Sequence, residues 1–229
     1  MTTLIDPSAE LDEGVYVGPN VVIGPNVRIG ERTRIEGFAS IGSPAEHRDH
    51  YHDEGPFGVE IGRDCVVREF VTVNAGTWRT TSVGPDSALL RGAYVGHDVL
   101  IGEAATISAD ALLGGHVVVG DGANLGLGAI VRQHLCVGAL AMVGMNATVT
   151  RDLLPFSLSM GTPARMTGPN VVGVERAGLD AGTIAQLFAA GAADHDHRAF
   201  MAAAEAALGP REIRLVSAWA AAIEAKGAG

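Results

Sequence analysis

The stretch from Val83 to Val149 reads VGPDSALLRGAYVGHDVLIGEAATISADALLGGHVVVGDGANLGLGAIVRQHLCVGALAMVGMNATV, and it is ruled by a period of six. Val83, Leu89, Val95, Ile101, Ile107, Leu113, Val119, Leu125, Val131, Val137, Val143 and Val149 fall in phase without a break. The same clock runs earlier through Ile5, Leu11, Val17, Ile23, Ile29, Ile35 and Ile41, skips, and resumes at Ile61, Val67 and Val73. So persistent a period is the signature of a hexapeptide-repeat parallel β-helix, an all-β fold in which three short strands close a triangular coil of about 18 residues and coils stack in register. The inside of such a prism is narrow, so the fifth position of each hexad must be small. Ala39, Cys65, Ala93, Ala105, Ala123 and Ala141 meet that demand, with Leu135 and Leu153 as bulky exceptions. A β-sandwich with accidental phasing fits poorly, because its strands alternate at period two and turn at irregular spacings.

Composition agrees with a thin core and tight corners: 31 Gly and 5% aromatic residues in 229. A formal charge of −10 disfavours nucleic acid or an anionic membrane as the main partner. With no long apolar run and no signal-like start, the simplest expectation is a cytoplasmic protein without a membrane span. Cys65 and Cys136 stand far apart in the coil stack and read as small core residues, not a disulfide or metal pair.

Residues 1–150 are read as the β-helix, with loop insertions at 43–60 and 75–82 where the clock skips. Pro155, Pro163 and Pro169 then break the pattern, so 151–178 reads as a cap and linker. Residues 179–229 read as an α-helical C-terminal region with helices over about 180–190, 196–208 and 210–225. Asp180 and Asp196 suit N-caps, and Pro210 suits a first helical position. Ile213, Val216, Trp219, Ala220 and Ile223 give the last helix one apolar face, to pack on the prism or on a neighbour.

Loops on a rigid scaffold are where function concentrates. The first carries Glu46, His47, Arg48, Asp49, His50, Tyr51, His52, Asp53 and Glu54. Its histidines and carboxylates could hold a divalent metal, but such a loop is more often a solvated projection or one that reaches substrate across a subunit boundary. Register places further chemistry, since residues 18 apart stack one coil, about 4.8 Å, above each other. His97 thus lies beneath Gly115, with Gln133 above, and His116 lies beneath His134. A Gly over a His clears space and exposes an N–H, the geometry wanted where a base works beside a developing oxyanion. Asp98 could orient the imidazole, although neighbours along a strand usually point to opposite faces.

At these residues the chain resembles the UDP-N-acetylglucosamine acyltransferases of lipid A synthesis. The similar segments are Gly96-His97-Asp98, Leu113 to Val117, Gln133 with Cys136-Val137-Gly138, Met142-Val143-Gly144, Gly161 and Asn170 to Gly173. Resemblance runs from about Ile5 to Arg176 and more loosely into the tail. It implies a left-handed helix and a homotrimer with sites between subunits. By position, His97 is implied as general base, Asp98 as its orienting partner and Gly115 as oxyanion donor. His116 and Gln133 are implied as substrate contacts, with His47 and Arg132 beside them, and Asn170 and Arg176 as nucleotide or donor-phosphate contacts. Met145 matches the residue that closes the acyl groove and would act as a chain-length ruler. The implied donor is an acyl thioester on acyl carrier protein or coenzyme A, and the implied acceptor is a hydroxyl or amino group of a nucleotide sugar. No metal and no cofactor are expected. His47 and Asp49 or their neighbours stand where the family has Asp and then Lys, Tyr94 and Arg132 where it has His, and Val172 where it has Glu; these departures, His47 and Val172 above all, predict an acceptor pocket tuned away from UDP-N-acetylglucosamine. Arg151, Arg165 and Arg176 are available as a local basic dock on an acidic protein.

Two other classes use the same scaffold. A metal-dependent carbonic anhydrase would need three His ligands converging between subunits, and His97 lacks a second His five residues on. A catalytically inactive trimeric scaffold would need none of these groups.

Overall fold

The computed structural model describes residues 2–48, 56–189 and 197–226. It is a left-handed parallel β-helix followed by a short helical region. Strands of two to five residues form three sheets, and within the coils sheet neighbours are three strands apart in sequence, as a triangular coil demands. Face A holds Tyr94–Val95, Leu112–Leu113 and Ile130–Val131; face B holds Leu100–Ile101, Val118–Val119 and Cys136–Val137; face C holds Thr106–Ile107, Asn124–Leu125 and Met142–Val143. Pairing is at the 18-residue spacing: Tyr94 with Leu112, Leu100 with Val118, Thr106 with Asn124. In each of these nine strands the clock residue points inward. Val95, Ile107, Leu113 and Leu125 are fully buried, and Ala93, Ala105, Ala111 and Ala123 fill the narrow remainder.

The corners explain how so tight a coil closes. One residue per hexad adopts a left-handed backbone, at 20, 26, 32 and 38 and again at each sixth residue from 86 to 146. Where the clock skips, spacing widens: Arg34 pairs with Val66 and Val66 with Ala88, 32 and 22 residues apart instead of 18. Both insertions leave the prism between faces A and B. One joins Ser40–Ser43 to Val59–Ile61 and the other joins Thr72–Asn74 to Thr81–Val83.

The stretch read as cap and linker is ordered structure. Ser157–Met160 pairs in parallel with the top of face C, and Arg165–Pro169 folds back on it antiparallel. Helix α1, Val171–Arg176, follows, capped by the Asn170 side chain. Helices α2 (Ala181–Ala189), α3 (His197–Ala207) and α4 (Pro210–Lys226) lie close to the expected spans. Asp180 bonds the N–H groups of Gly182 and Thr183 as expected of a cap, whereas Asp196 lies outside the described residues. The apolar face of α4 packs on the prism: Val216 and Trp219 are buried in one cluster with Phe156, Phe200 and Cys136 of face B. Cys136 therefore faces the helices, while Cys65 sits inside the prism, and both are free thiols. Among the described residues no helix is long and apolar enough to cross a membrane.

Leu125 is stacked between Ile107 and Val143 in the sealed interior. Truncation to alanine leaves a cavity that the stacked coils cannot collapse, so Leu125→Ala should cost about 2–5 kcal/mol in a denaturant titration.

Candidate active site

The edge between faces A and B carries the titratable cluster. Its left-handed corner residues in three successive coils are Asp98 (φ 62°), His116 (φ 61°) and His134 (φ 61°), and the residues just before them are His97, Gly115 and Gln133. The coils are tied here, His116 N–H bonding the His97 carbonyl at 2.9 Å and His134 N–H that of Gly115 at 3.0 Å. Strand alternation does not apply at such a corner. The positive φ of Asp98 swings its carboxylate onto the side of the preceding imidazole, and His97 Nδ1 meets Asp98 Oδ2 at 2.7 Å.

Asp98 is fully buried, and a buried carboxylate must be matched by donors. The second insertion supplies them. Asp98 accepts from the backbone N–H groups of Thr77, Trp78 and Arg79 and from the Thr77 hydroxyl at 2.8 Å. Arg79 Nε bonds the Asp98 carbonyl, and Thr81 Oγ1 accepts the Asp98 N–H. Burial acts to raise the Asp98 pKa, but the bonds from His97, Trp78, Arg79 and Thr77 outweigh it and hold the carboxyl far below the usual range. It is a permanent anion behind His97.

Above this anion sits His116, its Nε2 3.6 Å from Asp98 Oδ2, with its ring edge-on to His97 (5.1 Å) and stacked on His134 (4.5 Å, 10°). Burial lowers the His116 pKa, Asp98 pulls against it, and His134 and His97 push the same way as burial, so His116 favours its neutral form. His97, Asp98 and His116 place one ligand atom each within 4.8 Å of one another, the set among the described residues that could take a metal ion. The Asp98 oxygens are already saturated by donors, which suits an orienting carboxylate better than a ligand.

Gly115 stands directly over His97. A Cβ built on it would lie 2.6 Å from His97 Nε2, so only glycine leaves that nitrogen accessible. Among the described residues the Gly115 N–H has no hydrogen-bond partner. On face A beside this edge lies an open cleft of about 690 Å³, floored by Leu112 and Ile130 and walled by Glu46, Tyr94, Arg132, Gln133 and His134. A second cleft of about 520 Å³ gathers Arg132, Arg151, His134, His197 and Lys226 around Asp152. Of the arginines read as a basic dock, Arg151 is in it; Arg165 lies on the antiparallel strand of face C and Arg176 on α1.

The structure brings His97, Asp98, Gly115, His116, Arg132 and Gln133 together, and His47 joins them with its ring edge-on to His97 at 5.8 Å. The rest of that loop, from 49 to 55, lies outside the described residues. Asn170 is on a different edge, where it donates to the Leu140 carbonyl at the corner between faces B and C and accepts from Gly173 N–H, and Arg176 ends the helix that Asn170 caps. Met145 is exposed on the third edge, between faces C and A. Thr77, Trp78 and Arg79 are the members that motif reading passed over, while His134, placed by register above His116, joins the cluster. Their signal was positional, since both clock skips and the column 98, 116, 134 map to one edge once residues are counted by 18.

A prism of hexapeptide coils with a histidine–carboxylate pair beneath a glycine at an open cleft defines a hexapeptide-repeat transferase. Residues 4–43 match the family model described as bacterial transferase hexapeptide (six repeats). An acyl-(acyl-carrier-protein)–UDP-N-acetylglucosamine O-acyltransferase of Azorhizobium caulinodans is 45% identical over 196 residues, covering 84% of this chain and 70% of that protein. The protein of the same name from Alkalilimnicola ehrlichii is 39% identical over 205 residues, covering 80% and 79%. The crystal structure of the UDP-N-acetylglucosamine acyltransferase from Bacteroides fragilis superposes with a TM-score of 0.81 at 24% identity, over 93% of each chain, and so shares the fold. The chain belongs to the acyl-(acyl-carrier-protein)–UDP-N-acetylglucosamine O-acyltransferase family and is an acyltransferase.

Gly115 does not have a positive φ, so alanine fits its backbone and collides only with His97. Gly115→Ala should leave far-UV circular dichroism and the melting midpoint nearly unchanged while cutting acyl transfer by about 10² or more, the scale of losing acid–base assistance.

Proposed function

We propose that the chain transfers an acyl group from an acyl-carrier-protein thioester to a hydroxyl of UDP-N-acetylglucosamine, with His97 as the general base. The observation that carries this reading is His97 Nε2 lying open under Gly115 while Nδ1 is fixed by the buried Asp98. The relatives' names support the donor and acceptor. Of the departures that pointed to another acceptor, Tyr94 and Arg132 still present polar groups to the cleft, while Val172, exposed on α1, supplies none.

The acceptor hydroxyl attacks the thioester carbonyl as its proton passes to His97 Nε2. Asp98 holds Nδ1–H and stabilises the imidazolium that forms. Negative charge develops on the carbonyl oxygen, where the Gly115 N–H is the available donor. Collapse of the tetrahedral intermediate expels the thiol sulfur, which takes the proton back from His97. No step requires a metal, and the exposed apolar floor of the cleft suits an acyl chain.

The working unit in this reading is a homotrimer acting in the cytoplasm. Groups expected to meet one substrate lie on three different edges of one prism, so neighbours must supply the missing ones: Asn170 and Arg176 for nucleotide or donor phosphate, Met145 for the acyl end. His116, Gln133, Arg132 and His47 contact substrate from the catalytic edge.

His97→Ala should retain the trimer in light scattering at micromolar concentration and lose acyl transfer to UDP-N-acetylglucosamine by about 10² or more. Near-normal turnover would remove His97 from the role, and an active monomer would remove the shared site. Met145, an exposed and adaptable thioether, sets donor length if it closes the groove. Met145→Gly should shift the optimum toward longer acyl donors, each added methylene recovering up to about 0.8 kcal/mol, and an unchanged profile from two to sixteen carbons would exclude it.

A further inference from the structure

The corner residues along the edge between faces C and A are Asn20, Phe38, Phe70, Gly92, Asp110, Gly128 and Asn146, all at positive φ. Five of the seven are of types that accept this backbone readily, whereas a bulky side chain there is strained. Phe38 (φ 64°) and Phe70 (φ 63°) are the exceptions, and both are exposed, at 52% and 54%. Their rings stack at 5.2 Å and 14°, presenting one flat apolar plate on the outside of the rod. A further aromatic stands on the edge between faces A and B. Trp78, at 78%, is the most exposed large apolar side chain among the described residues. Its mounting is fixed, since the backbone N–H groups of Thr77, Trp78 and Arg79 all bond Asp98, yet the indole itself takes no part in the chemistry described above.

The plate and the indole share a level of the rod. Phe70 and loop 75–80 flank a single strand, Thr72–Asn74, and Trp78 reaches from there toward Asp98 in the coil above. Trp78 therefore lies within about one coil, roughly 4.8 Å of rise, of the level of Phe70. The two cannot meet within one subunit, because the width of face A separates their edges. A three-fold rotation of rods set side by side changes no level, and the proposed trimer turns the edge of each subunit that carries Met145 toward the catalytic edge of the next. Trp78 then comes opposite the neighbour's Phe plate. We propose that Trp78 of each subunit docks on the Phe38–Phe70 stack of the adjacent copy, an aromatic clasp repeated three times around the ring. Aromatic pairs add attraction beyond the area they bury, Trp is enriched at interface hot spots, and a loop already held in place loses little freedom on docking. The clasp rests on the trimer reading and adds to it the residues that join the subunits beside the catalytic edge.

Trp78 and the buried Trp219 are the two tryptophans of the chain, so acrylamide quenching of fluorescence reads Trp78. Wild-type protein without substrates should have a trimer's mass by light scattering and a quenching constant severalfold below that of Phe70→Asn. Asparagine keeps the corner, as Asn20 and Asn146 do on the same edge, and removes the ring. Phe70→Asn should also raise the concentration at which the trimer dissociates by about tenfold or more, the scale of losing a hot-spot contact. On oxidation, the double variant Phe70→Cys/Trp78→Cys should run as a covalent trimer on a non-reducing gel, because a bridge within one chain would have to cross face A and the native Cys65 and Cys136 are buried. A wild-type trimer whose Trp78 is as quenchable as in Phe70→Asn, protection that appears only when acyl thioester is added, or a trimeric double variant that stays uncrosslinked would overturn the clasp and leave the proposed trimer standing. A monomeric wild type would overturn the trimer reading, and the clasp with it.

Discussion

Each coil must return to the same three edges after 18 residues, and it does so by setting one residue per hexad at positive φ. For a residue with a Cβ that conformation costs roughly 1–2 kcal/mol, so the corners select for side chains that tolerate it. Among the described residues, nine of the fifteen non-glycine residues at positive φ are Asn, Asp or His, the types that adopt it most readily. The corner rule therefore fills the prism's edges with short polar and imidazole side chains before any catalytic demand acts. Asp98, His116 and His134 are three such residues in consecutive coils, and the stack sets them one above another.

That stack gathers titratable groups on the edge between faces A and B, and the insertions hold them in place. A buried carboxylate without donors would protonate instead of holding a charge in place. Loop 75–80 folds over Asp98 with three backbone N–H groups and a hydroxyl, so the anion survives burial and fixes the tautomer and direction of His97. Loop 43–48 brings Glu46 and His47 to the opposite rim. Both loops grow from one edge because an insertion at a corner leaves the stacked ladders undisturbed: Val27 pairs with Val59 and Val59 with Thr81 as if no residues had been added.

The parts of this design that repeat were legible in the sequence. Val83 through Val149 gave the coil length, the inward residues and the His97–Gly115 stack, because a period of six is a property of residue types at fixed intervals. Asp98 was harder: strand alternation placed it on the wrong side of the chain, and only the left-handed corner brings it to His97. Loop 75–80 carries no recognisable motif since it binds Asp98 chiefly through backbone N–H groups, which any residue supplies. The strands Ser157–Met160 and Arg165–Pro169 escaped notice because the first follows a shortened coil, pairing Met142 with Leu158 at a spacing of 16, and the second runs antiparallel, outside any clock.

The prism's symmetry also limits what one subunit can do. A triangular rod presents three edges facing away from one another, and its interior is filled by packed aliphatic residues, so no substrate can span two edges through it. Face B is closed off by α4, which leaves the open cleft on face A and the exposed Leu127 and Met145 beside it without a covering wall. A rod of this shape gains a two-walled groove by packing against copies of itself, and a three-fold arrangement gives every cleft the same neighbour. In the proposed trimer the open face and the separated groups have one solution, a neighbour against face A that also brings groups from its own edges. The same geometry sets the His97–Asp98 pair within a single chain. Their 2.7 Å contact joins neighbours in sequence at one corner, so its geometry depends on the stack and on loop 75–80 and on nothing outside the chain.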